Sequence, residues 1–530
     1  MMAPLVGSSV HSLKELLGNF TAESVVHDTF VSGLSIDSRN IEAGYLFVAV
    51  QGVISHGRQF ITQAIENGAC AVLIDETEDA ITSTIPVIKI PCLQNVLSKI
   101  AGRFYHNPSS KIPVYGITGT NGKTTCSHLL AQCLAAYDVN CGVMGTLGYG
   151  VVSVANSSIN NAVSANAESY KQAGEPAEKF TTTGMTTADP ISTQKICAEL
   201  LACNAQAIVM EVSSHGLVQH RVEDIDINTA VFTNLTQDHL DYHVSMKAYG
   251  EAKARLFDMP SVINAVINQD DDFSGELIKH IQKNVRLATY SLSEQGAKYA
   301  QSVAHFSFSH PKYTSQGVTA VLHTPEGEFS VATQLVGAFN LSNMLAVISS
   351  LYLNNYSLKK IISLLPSLKS VPGRMELIAN QIDLQVVVDF AHTPDALKSA
   401  LRALRTHLHN NIWCVFGCGG DRDTDKRAKM AAIAEQLANH IVVTNDNPRT
   451  ESAQNIFNDI KQGFSREHRT IENRADAIAY AIAYAGKGDI VLIAGKGHED
   501  YQIIGSEKIQ FNDREQAQLS LHKREQEGAL

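Results

Sequence analysis

The feature that most constrains the fold is a glycine-rich turn between an apolar β-branched run and an apolar helical pattern. Val114–Thr118 predicts a strand, and residues 126–134 predict a helix from the spacing of their apolar positions. A strand, such a turn and a helix can bind phosphate, because glycines let backbone N–H groups converge on phosphate oxygens and the helix N-terminus adds partial positive charge. Ile117 departs from the usual loop spacing, with Gly116 and Gly119 on either side. The stretch therefore predicts nucleotide binding.

Within this phosphate loop, the lysine is expected to reach the terminal phosphates and the next hydroxyl is expected to hold Mg²⁺. The loop residues predicted to contact the nucleotide are Gly119, Thr120, Asn121, Gly122, Lys123, Thr124 and Thr125. The alternative is a strand–helix turn that is rich in glycine and binds no ligand.

Length and composition bound the possible functions. A chain of 530 residues predicts roughly three domains, and 44% hydrophobic residues are enough to bury proper cores. The net charge of −11 argues against a general nucleic-acid binder. The nine cysteines are scattered, and Cys414 and Cys418 have no second pair to complete a zinc site, so we expect reduced thiols. Without a signal-peptide pattern or a run of 18 apolar residues, we expect a soluble cytoplasmic monomer with no membrane insertion.

The chain divides into three predicted units, at residues 1–110, 111–368 and 369–530, and each alternates short strands with helices. Residues 151–179 are rich in Ser, Asn, Ala and Glu, which predicts a long surface insertion in the second unit. The rhythm predicts an α/β fold with largely parallel sheets. In such sheets, ligands bind beyond the carboxyl ends of the strands.

Two polar clusters follow predicted strands of the second unit. Residues 211–215 (Glu-Val-Ser-Ser-His) follow one strand, and residues 238–243 (Asp-His-Leu-Asp-Tyr-His) follow the next. Carboxylate and imidazole groups that meet a triphosphate at one sheet edge suit Mg²⁺. The alternative for each cluster is a set of helix caps and loop hydrogen bonds.

Several stretches in chain order resemble the Mur ligases, namely residues 119–125, 211–215, 234–243, 337–340, 372–376 and 389–395. These ATP-dependent enzymes add amino acids to the UDP-N-acetylmuramoyl peptide precursor of bacterial cell walls. Residues 417–423, 446–449 and 495–499 resemble the members that add meso-2,6-diaminopimelate to UDP-N-acetylmuramoyl-L-alanyl-D-glutamate.

The resemblance implies a smaller N-terminal α/β domain that binds UDP, a central P-loop ATPase-type domain with a mostly parallel sheet, and a C-terminal Rossmann-like domain. It implies ATP as co-substrate, Mg²⁺ as cofactor and an acyl-phosphate intermediate. Phosphorylation of a carboxylate and attack by an amine need positioning and charge neutralisation more than covalent catalysis by the protein.

The resemblance also implies roles for single residues. The catalytic group is Lys123, Glu211, His239 and Lys253. The metal ligands are Thr124, Glu211, His239 and Lys253, the last as a carbamate formed with CO₂. The further ATP contacts are Asn343, Arg374 and Asp389. The contacts to the UDP substrate are Ile36, Ser38, Thr186, Thr187, Ser213, Gln219 and Arg221. The amino-acid contacts are Arg422, Asp446, Asn447, Pro448, Arg449, Gly495 and Glu499.

Diaminopimelate differs from lysine by a second carboxylate at its far end. Arg449 can clamp that carboxylate with its planar guanidinium, Arg422 can add positive charge, and Glu499 can receive the far ammonium.

Three alternatives stay open. A lysine-adding relative is the nearest, and Arg449 argues against it. A folylpolyglutamate-type synthetase is next, and the N-terminal turn at residues 37–39 (Asp-Ser-Arg) argues against it. From another class, a nucleotide-dependent switch is possible, although the chain has no Asn-Lys-x-Asp guanine motif.

Overall fold

The computed structural model describes residues 10–21, 29–52, 56–79, 81–153, 180–293, 296, 298–299, 302–314, 317–407 and 410–528. The predicted insertion at 151–179 lies outside the described residues from position 154 to its end.

The N-terminal unit is built on a small parallel sheet. Its elements are β1 (His11–Ser12), α1 (Leu13–Leu17), β2 (Phe30–Val31), β3 (Gly33–Ser35), β4 (Tyr45–Val48), α2 (Ile61–Glu66), β5 (Ala71–Asp75), β6 (Val87–Ile90) and α3 (Leu93–Phe104). Strands β3 to β6 pair in chain order and all run parallel, whereas β1 and β2 form a separate antiparallel pair. In α3, Leu93, Leu97, Ile100 and Phe104 recur at helical spacing, and this apolar face packs into the core beside the sheet.

The central unit contains a ten-stranded sheet. Its elements are β7 (Val114–Thr118), α4 (Lys123–Ala136), β8 (Cys141–Gly145), β9 (Gly148–Val152), α5 (Pro190–Ala202), β10 (Ala207–Glu211), α6 (Ser214–Val218), β11 (Thr229–Phe232), α7 (Leu240–His243), α8 (Met246–Ala254), β12 (Asn264–Asn268), α9 (Ser274–Ile278), β13 (Arg286–Ser291), β14 (Ser302–Thr314), β15 (Gly317–Thr324), β16 (Gly327–Thr333), α10 (Ala338–Leu353) and α11 (Leu358–Leu364). The strand order is β16-β15-β14-β13-β12-β11-β7-β10-β8-β9. The strands from β8 to β14 in this order pair in parallel, and the outer strands β9, β15 and β16 are antiparallel. Helices α4 and α10 cover one face and α5 covers the other.

The C-terminal unit carries a six-stranded sheet. Its elements are β17 (Glu376–Ile378), β18 (Gln385–Asp389), α12 (Pro394–His407), β19 (Ile412–Phe416), α13 (Asp425–Leu437), β20 (His440–Val443), α14 (Ala453–Lys461), β21 (Arg469–Thr470), α15 (Arg474–Tyr484), β22 (Ile490–Ala494), β23 (Tyr501–Ile504), β24 (Glu507–Gln510) and α16 (Asp513–Gly528). The order is β17-β18-β22-β19-β20-β21, in which only β17 is antiparallel to its neighbour. Strands β23 and β24 form a separate hairpin.

The predicted α/β fold with three units and parallel-rich sheets is confirmed, since each unit has its own sheet. The unit boundaries at 110 and 368 stay predictions. The antiparallel extension β14–β16 was not identified from the sequence. Among the described residues, no helix has the length and apolar character needed to cross a bilayer.

The C-terminal unit contacts helices α4 and α10 of the central unit. The side chain of Gln132 in α4 donates to the carbonyl of Lys369 (3.1 Å) and accepts from its backbone N–H (3.0 Å). At the start of α10, a side chain on Gly337 would meet Ala403 of α12. The start of the C-terminal unit is therefore held against α4, the helix that follows the phosphate loop.

Candidate functional site

The phosphate loop connects β7 to α4. Gly122 precedes α4 with φ 88°, a conformation that favours glycine, and a Cβ there would collide with the carboxamide of Asn343. The Nζ of Lys123 folds back and donates to the carbonyls of Gly119 (2.8 Å) and Thr120 (2.9 Å). Burial lowers the pKa of Lys123, although the carboxylate of Glu211 opposes this effect. The loop thus has the backbone shape and the cation that phosphate binding needs.

Residues after β11 hold the phosphate loop from the side. The backbone N–H of Thr120 donates to the carbonyl of Asn234 (2.8 Å), and that of Asn121 donates to the Asn234 side chain (2.9 Å). The Thr233 hydroxyl donates to the carbonyl of Asn121 (2.6 Å). These bonds fix the loop before any ligand arrives.

Glu211 ends β10, the neighbour of β7, and its carboxylate is buried. One oxygen accepts from the backbone N–H of Thr146 and the other accepts from its hydroxyl, both at 3.0 Å. The same hydroxyl lies 3.1 Å from that of Thr186. The carboxylate is therefore held in one orientation at the strand ends, beside the phosphate loop.

Lys253 in α8 is buried, with 1% of its surface exposed. Its Nζ donates to the carbonyl of Gly119 (2.9 Å) and lies 4.3 Å from the ring centre of Tyr249. The Tyr249 hydroxyl lies 3.2 Å from that of Thr120. Burial and the nearby Lys123 ammonium lower the pKa of Lys253 well below its usual value. The two predicted catalytic lysines thus meet at the same loop.

His239 precedes α7 and belongs to a group of aromatic rings. Its ring lies 4.9 Å from that of His215 and 6.0 Å from that of Tyr249, centre to centre. Its side chain is 47% exposed, and its Nε2 lies 3.5 Å from the carboxylate of Asp238. The imidazole is therefore accessible at the mouth of the site.

The donor set suits a metal ion that arrives with phosphate. Within the described ranges, no three His, Cys, Asp or Glu side chains are arranged to hold a metal ion by themselves. Mg²⁺ keeps several waters and takes one or two protein oxygens together with substrate phosphates. The carboxylate of Glu211 and the hydroxyl of Thr124 fit that requirement.

Arg374 and Asp389 bring the C-terminal unit to this edge. The Asp389 carboxylate accepts from the backbone N–H groups of Met375 (2.7 Å) and Ala391 (2.9 Å). The Arg374 guanidinium lies 4.3 Å from the ring centre of Phe390. Burial lowers the pKa of Arg374, and the nearby carboxylates of Asp389 and Glu211 oppose this effect. A cation of the third unit therefore lies within electrostatic range of Glu211.

Asn343 belongs to α10 and faces the phosphate loop at Gly122. Its side-chain oxygen accepts from the thiol of Cys126 (3.4 Å), and its side-chain nitrogen donates to Asn340 (3.3 Å). Both Asn343 and Cys126 are buried. The amide is thus fixed directly beneath the loop.

The predicted amino-acid residues meet at the ends of β20 and β22. Arg449 has φ 54°, and its Nη1 donates to the carbonyls of Gly420 (2.9 Å) and Asn447 (3.3 Å). The Asn447 side chain donates to Glu499 Oε2 (3.0 Å). Arg422 is exposed, on the loop that follows β19. The remaining members lie in the same two loops: Asp446, Pro448 and Gly495.

The residues predicted to contact the UDP substrate separate into two groups. Thr187 donates to the carbonyl of Glu211 (2.9 Å) and accepts from Ser213 N–H (2.9 Å). Arg221 donates to the Thr187 carbonyl (2.6 Å) and to the Gln219 side chain (2.6 Å). These residues, with Thr186, therefore form one cluster beside Glu211.

Ile36 and Ser38 lie in the N-terminal unit. The Ser38 hydroxyl donates to Gln63 (2.7 Å), and its carbonyl accepts from Asn67 (2.8 Å). In the part of the chain that the structure describes, no recorded hydrogen bond joins this pair to the cluster beside Glu211. The residues predicted to contact the UDP substrate therefore lie in two separate units.

Sequence reasoning gave no role to four residues that hold the site: Thr146, Asn234, Tyr249 and Lys496. Asn234 and Lys496 lie in the noted stretches 234–243 and 495–499, and Thr146 follows a buried strand of a sheet whose other strand ends had been noted. Tyr249 precedes Lys253 by one helical turn. Position at strand ends and helical spacing are the signals that could have found them.

Three models of the Mur ligase family match the chain. The Mur ligase catalytic domain matches residues 30–105, the Mur ligase middle domain matches residues 117–351, and the Mur glutamate ligase domain matches residues 373–497. Together they follow the three units in order.

Similar proteins carry related names. A UDP-N-acetylmuramoyl-L-alanyl-D-glutamate–2,6-diaminopimelate ligase from Coxiella burnetii is 42% identical over 503 residues, which cover 94% of this chain and 97% of the relative. A solved structure of a ligase with the same name is 33% identical, with a TM-score of 0.68 over 98% of this chain and 100% of its own. MurF from Acinetobacter baumannii shares the fold, with a TM-score of 0.63 and 17% identity over 92% of this chain and 96% of its own.

Proposed function

The chain belongs to the Mur ligase family, and we propose that it adds meso-2,6-diaminopimelate to UDP-N-acetylmuramoyl-L-alanyl-D-glutamate at the expense of ATP. The product is a peptidoglycan precursor. The proposal rests on relatives of that name that match nearly the whole chain.

The observation that carries the proposal is the convergence of two units on one phosphate loop. The central unit supplies Lys123, Glu211 and Lys253, and the C-terminal unit supplies Arg374 within electrostatic range of Glu211. Such an arrangement surrounds a triphosphate with cations on one side and an oxygen ligand on the other. It suits a reaction in which a negatively charged phosphoryl group is transferred from one bound substrate to another.

Amide formation from a carboxylate and an amine in water requires activation of the carboxylate. In the proposed first step, an oxygen of the glutamyl carboxylate attacks the γ-phosphorus of ATP and ADP leaves. In the second step, the deprotonated amine of diaminopimelate attacks the acyl carbon, and inorganic phosphate leaves. The protein contributes by holding the three substrates in line and by neutralising charge.

Lys123 stabilises the transferred phosphoryl group in this proposal. Its ammonium lies at the loop and donates to the carbonyls of Gly119 and Thr120, which leaves its third N–H group for phosphate. When bound, Mg²⁺ would neutralise phosphate charge. Glu211 and Thr124 are the protein groups proposed to hold it, with His239 at the exposed side.

Lys253 is proposed to act as a carbamate. The lysine nitrogen would form a bond to the carbon of CO₂ and release a proton, which gives an anionic oxygen ligand. A neutral amine is the reactive form, and burial beside Lys123 lowers the pKa of Lys253 well below its usual value. The buried position against Gly119 suits a group that acts at the phosphate loop.

Arg449 is proposed to select diaminopimelate. Its guanidinium is fixed by the carbonyls of Gly420 and Asn447, and the side chain of Asn447 bonds to Glu499. The cation proposed for the far carboxylate and the carboxylate proposed for the far ammonium therefore belong to one network. A lysine substrate would offer Arg449 no carboxylate.

A panel of amino acids tests the proposal. The protein is incubated with ATP, UDP-muramoyl dipeptide and one amino acid, and phosphate release is measured. We expect release with meso-diaminopimelate and little with lysine. Preferential phosphate release with lysine would identify the lysine-adding activity instead. Slow ATP hydrolysis at a rate that does not depend on either co-substrate would favour a nucleotide switch.

A further inference from the structure

Lys496 is a fully buried cation to which the reaction just proposed gives no role. Its exposed fraction is 0%, and it stands between two glycines after β22. A lysine ammonium has three N–H donors. In this case they meet Asp446 Oδ1 (3.4 Å), Asn447 Oδ1 (2.9 Å) and Glu499 Oε2 (2.9 Å). All three donors of a buried charge are thus directed at residues of the proposed amino-acid pocket.

The ammonium joins two loops that the sheet keeps apart. Asp446 and Asn447 follow β20, whereas Glu499 belongs to the loop after β22, and β19 lies between these strands in the sheet. Asn447 also donates to the same oxygen of Glu499 (3.0 Å), which closes a triangle of side chains. Lys496 therefore fixes the distance between the two loops that carry the pocket.

The same network reaches Arg449. The backbone carbonyl of Asn447 accepts from the Arg449 guanidinium (3.3 Å), while the Asn447 side chain is held by Lys496. A shift of Asn447 would consequently move the guanidinium and the Glu499 carboxylate relative to each other.

Charge gives Lys496 a second effect. Asp446 is buried and Glu499 is half-buried, and Lys496 is the cation paired with both. Two carboxylates that lose a shared cation repel each other. The ammonium thus holds Asp446 and Glu499 at a fixed separation.

We infer that Lys496 is a positioning residue that determines amino-acid specificity. It holds Glu499 and Asn447 so that the pocket offers one carboxylate and, through Arg449, one guanidinium at a fixed separation. This inference rests on the proposed function, since it assumes that the pocket binds the far end of the amino acid.

The test compares Lys496→Met and Lys496→Arg in the full-length protein. The matched control is Lys487→Met, which changes a lysine that is 85% exposed just before the same strand β22. Michaelis constants for diaminopimelate, ATP and UDP-muramoyl dipeptide are measured from phosphate release. Loss of hydrogen bonds to a charged group predicts a rise of about 30-fold in the diaminopimelate KM for Lys496→Met. The ATP KM should stay within about twofold, and Lys496→Arg should recover part of the loss.

A double substitution separates positioning from general damage. The double change Lys496→Met with Glu499→Gln removes the unpaired charge. We expect it to regain thermal stability without regaining affinity for diaminopimelate, which keeps the test valid if the single variant folds poorly.

Two results would overturn the inference: equal rises in the KM for ATP and for diaminopimelate, or a diaminopimelate KM within twofold of the unaltered protein. Failure of the proposed function has a different signature. In that case the unaltered protein itself would prefer another amino acid. The KM of the Lys496 variants would then be measured for that amino acid.

Discussion

The phosphate loop and the amino-acid pocket both lie at the carboxyl ends of parallel strands, but different groups hold them in place. The phosphate loop is held mainly by backbone hydrogen bonds, since Lys123 donates to two carbonyls and backbone N–H groups bond to Asn234. The amino-acid pocket is held mainly by buried ion pairs. The Lys496 ammonium is paired with two carboxylates, and Arg474 and Asp513 form a pair in which both side chains are fully buried.

The two sites should tolerate different kinds of substitution. A site held by backbone bonds keeps its shape when a surface charge changes, but it is sensitive to any added volume at a glycine. A site held by buried charges is sensitive to the loss of one partner, because the other is left unpaired in a medium of low polarity. The contrast predicts different responses to substitution in the two regions.

The largest effect is expected where a buried cation lies at the phosphate loop itself. Lys253→Ala should lower kcat by about 1,000-fold, the size typical of a positioned group that stabilises developing charge. Added short carboxylates should restore part of the activity if the lysine acts as a carbamate. Lys247→Ala is the control, because Lys247 is 85% exposed on the same helix. Full activity of Lys253→Ala, measured by phosphate release, would remove the residue from the mechanism.

The next effect concerns stability in the C-terminal unit. Arg474→Met leaves Asp513 buried without its partner, so the free energy of unfolding should fall by about 3 kcal/mol. The chain has one tryptophan, Trp413, which lies in β19 and reports the unfolding of this unit by fluorescence in urea. Arg466→Met, which removes an exposed arginine paired with Glu435, should destabilise the unit much less.

A double substitution then isolates the charge. Arg474→Met with Asp513→Leu removes both members of the pair and should recover most of the lost stability. If the double variant is as unstable as the single one, packing rather than charge holds this region, and the contrast between the two sites fails.

A third test addresses the pocket's selectivity. Arg449→Ala should raise the KM for diaminopimelate by about 50-fold, the loss expected for a charge-assisted pair, and leave the KM for ATP unchanged. Arg402→Ala, on the exposed face of α12, should change neither constant. Equal effects of Arg449→Ala on both substrates would show that the residue supports the fold of the unit and does not read the amino acid.

The phosphate loop could be predicted from the sequence more fully than the amino-acid pocket, because consecutive residues form the loop. Residues 119–125 lie next to one another, and the glycines among them indicate a tight turn between a strand and a helix. Glu211 and Arg449 could be noted because each follows an apolar strand. The pairing of Lys496 with Asp446 joins residues 50 positions apart, and which lysine becomes buried is decided only by tertiary packing. The roles proposed for these residues stay predictions until the variants are measured.

His128 in α4 and His498 after β22 lie at what we call the junction between the two regions. The folded protein should lose stability there in acid. Burial and the Arg374 guanidinium lower the pKa of His128 to about 4, and burial lowers that of His498 to about 3. Both rings are neutral in the folded state, so stability is full above pH 6.5 and is lost as pH falls toward 4, where only the unfolded state gains protons. His128→Gln should reduce that loss by about 2 kcal/mol in urea titrations at pH 6.5 and pH 4.

A control at an exposed side chain that does not titrate checks the assignment to His128. Gln436→Asn in α13 adds and removes no titrating group, so it should leave the pH dependence unchanged. A pH profile that is the same for His128→Gln and the unaltered protein would show that the junction is not acid-sensitive through this ring.

The smallest effect should come from a strained residue beside the phosphate loop. Val244 follows α7 with φ 66° and ψ −36°, and the backbone N–H of Ser245 donates to the carbonyl of His243 (2.7 Å), so Val244 is the centre of a tight γ-turn. A β-branched residue rarely adopts this conformation. The Val244 side chain is 86% exposed, so the burial of apolar surface does not offset the strain. Val244→Gly should therefore stabilise α7 and α8 by about 1 kcal/mol. Amide hydrogen exchange in α8 measures it: slower exchange is expected, whereas faster exchange would mean that the valine restrains the loop that leads to Lys253.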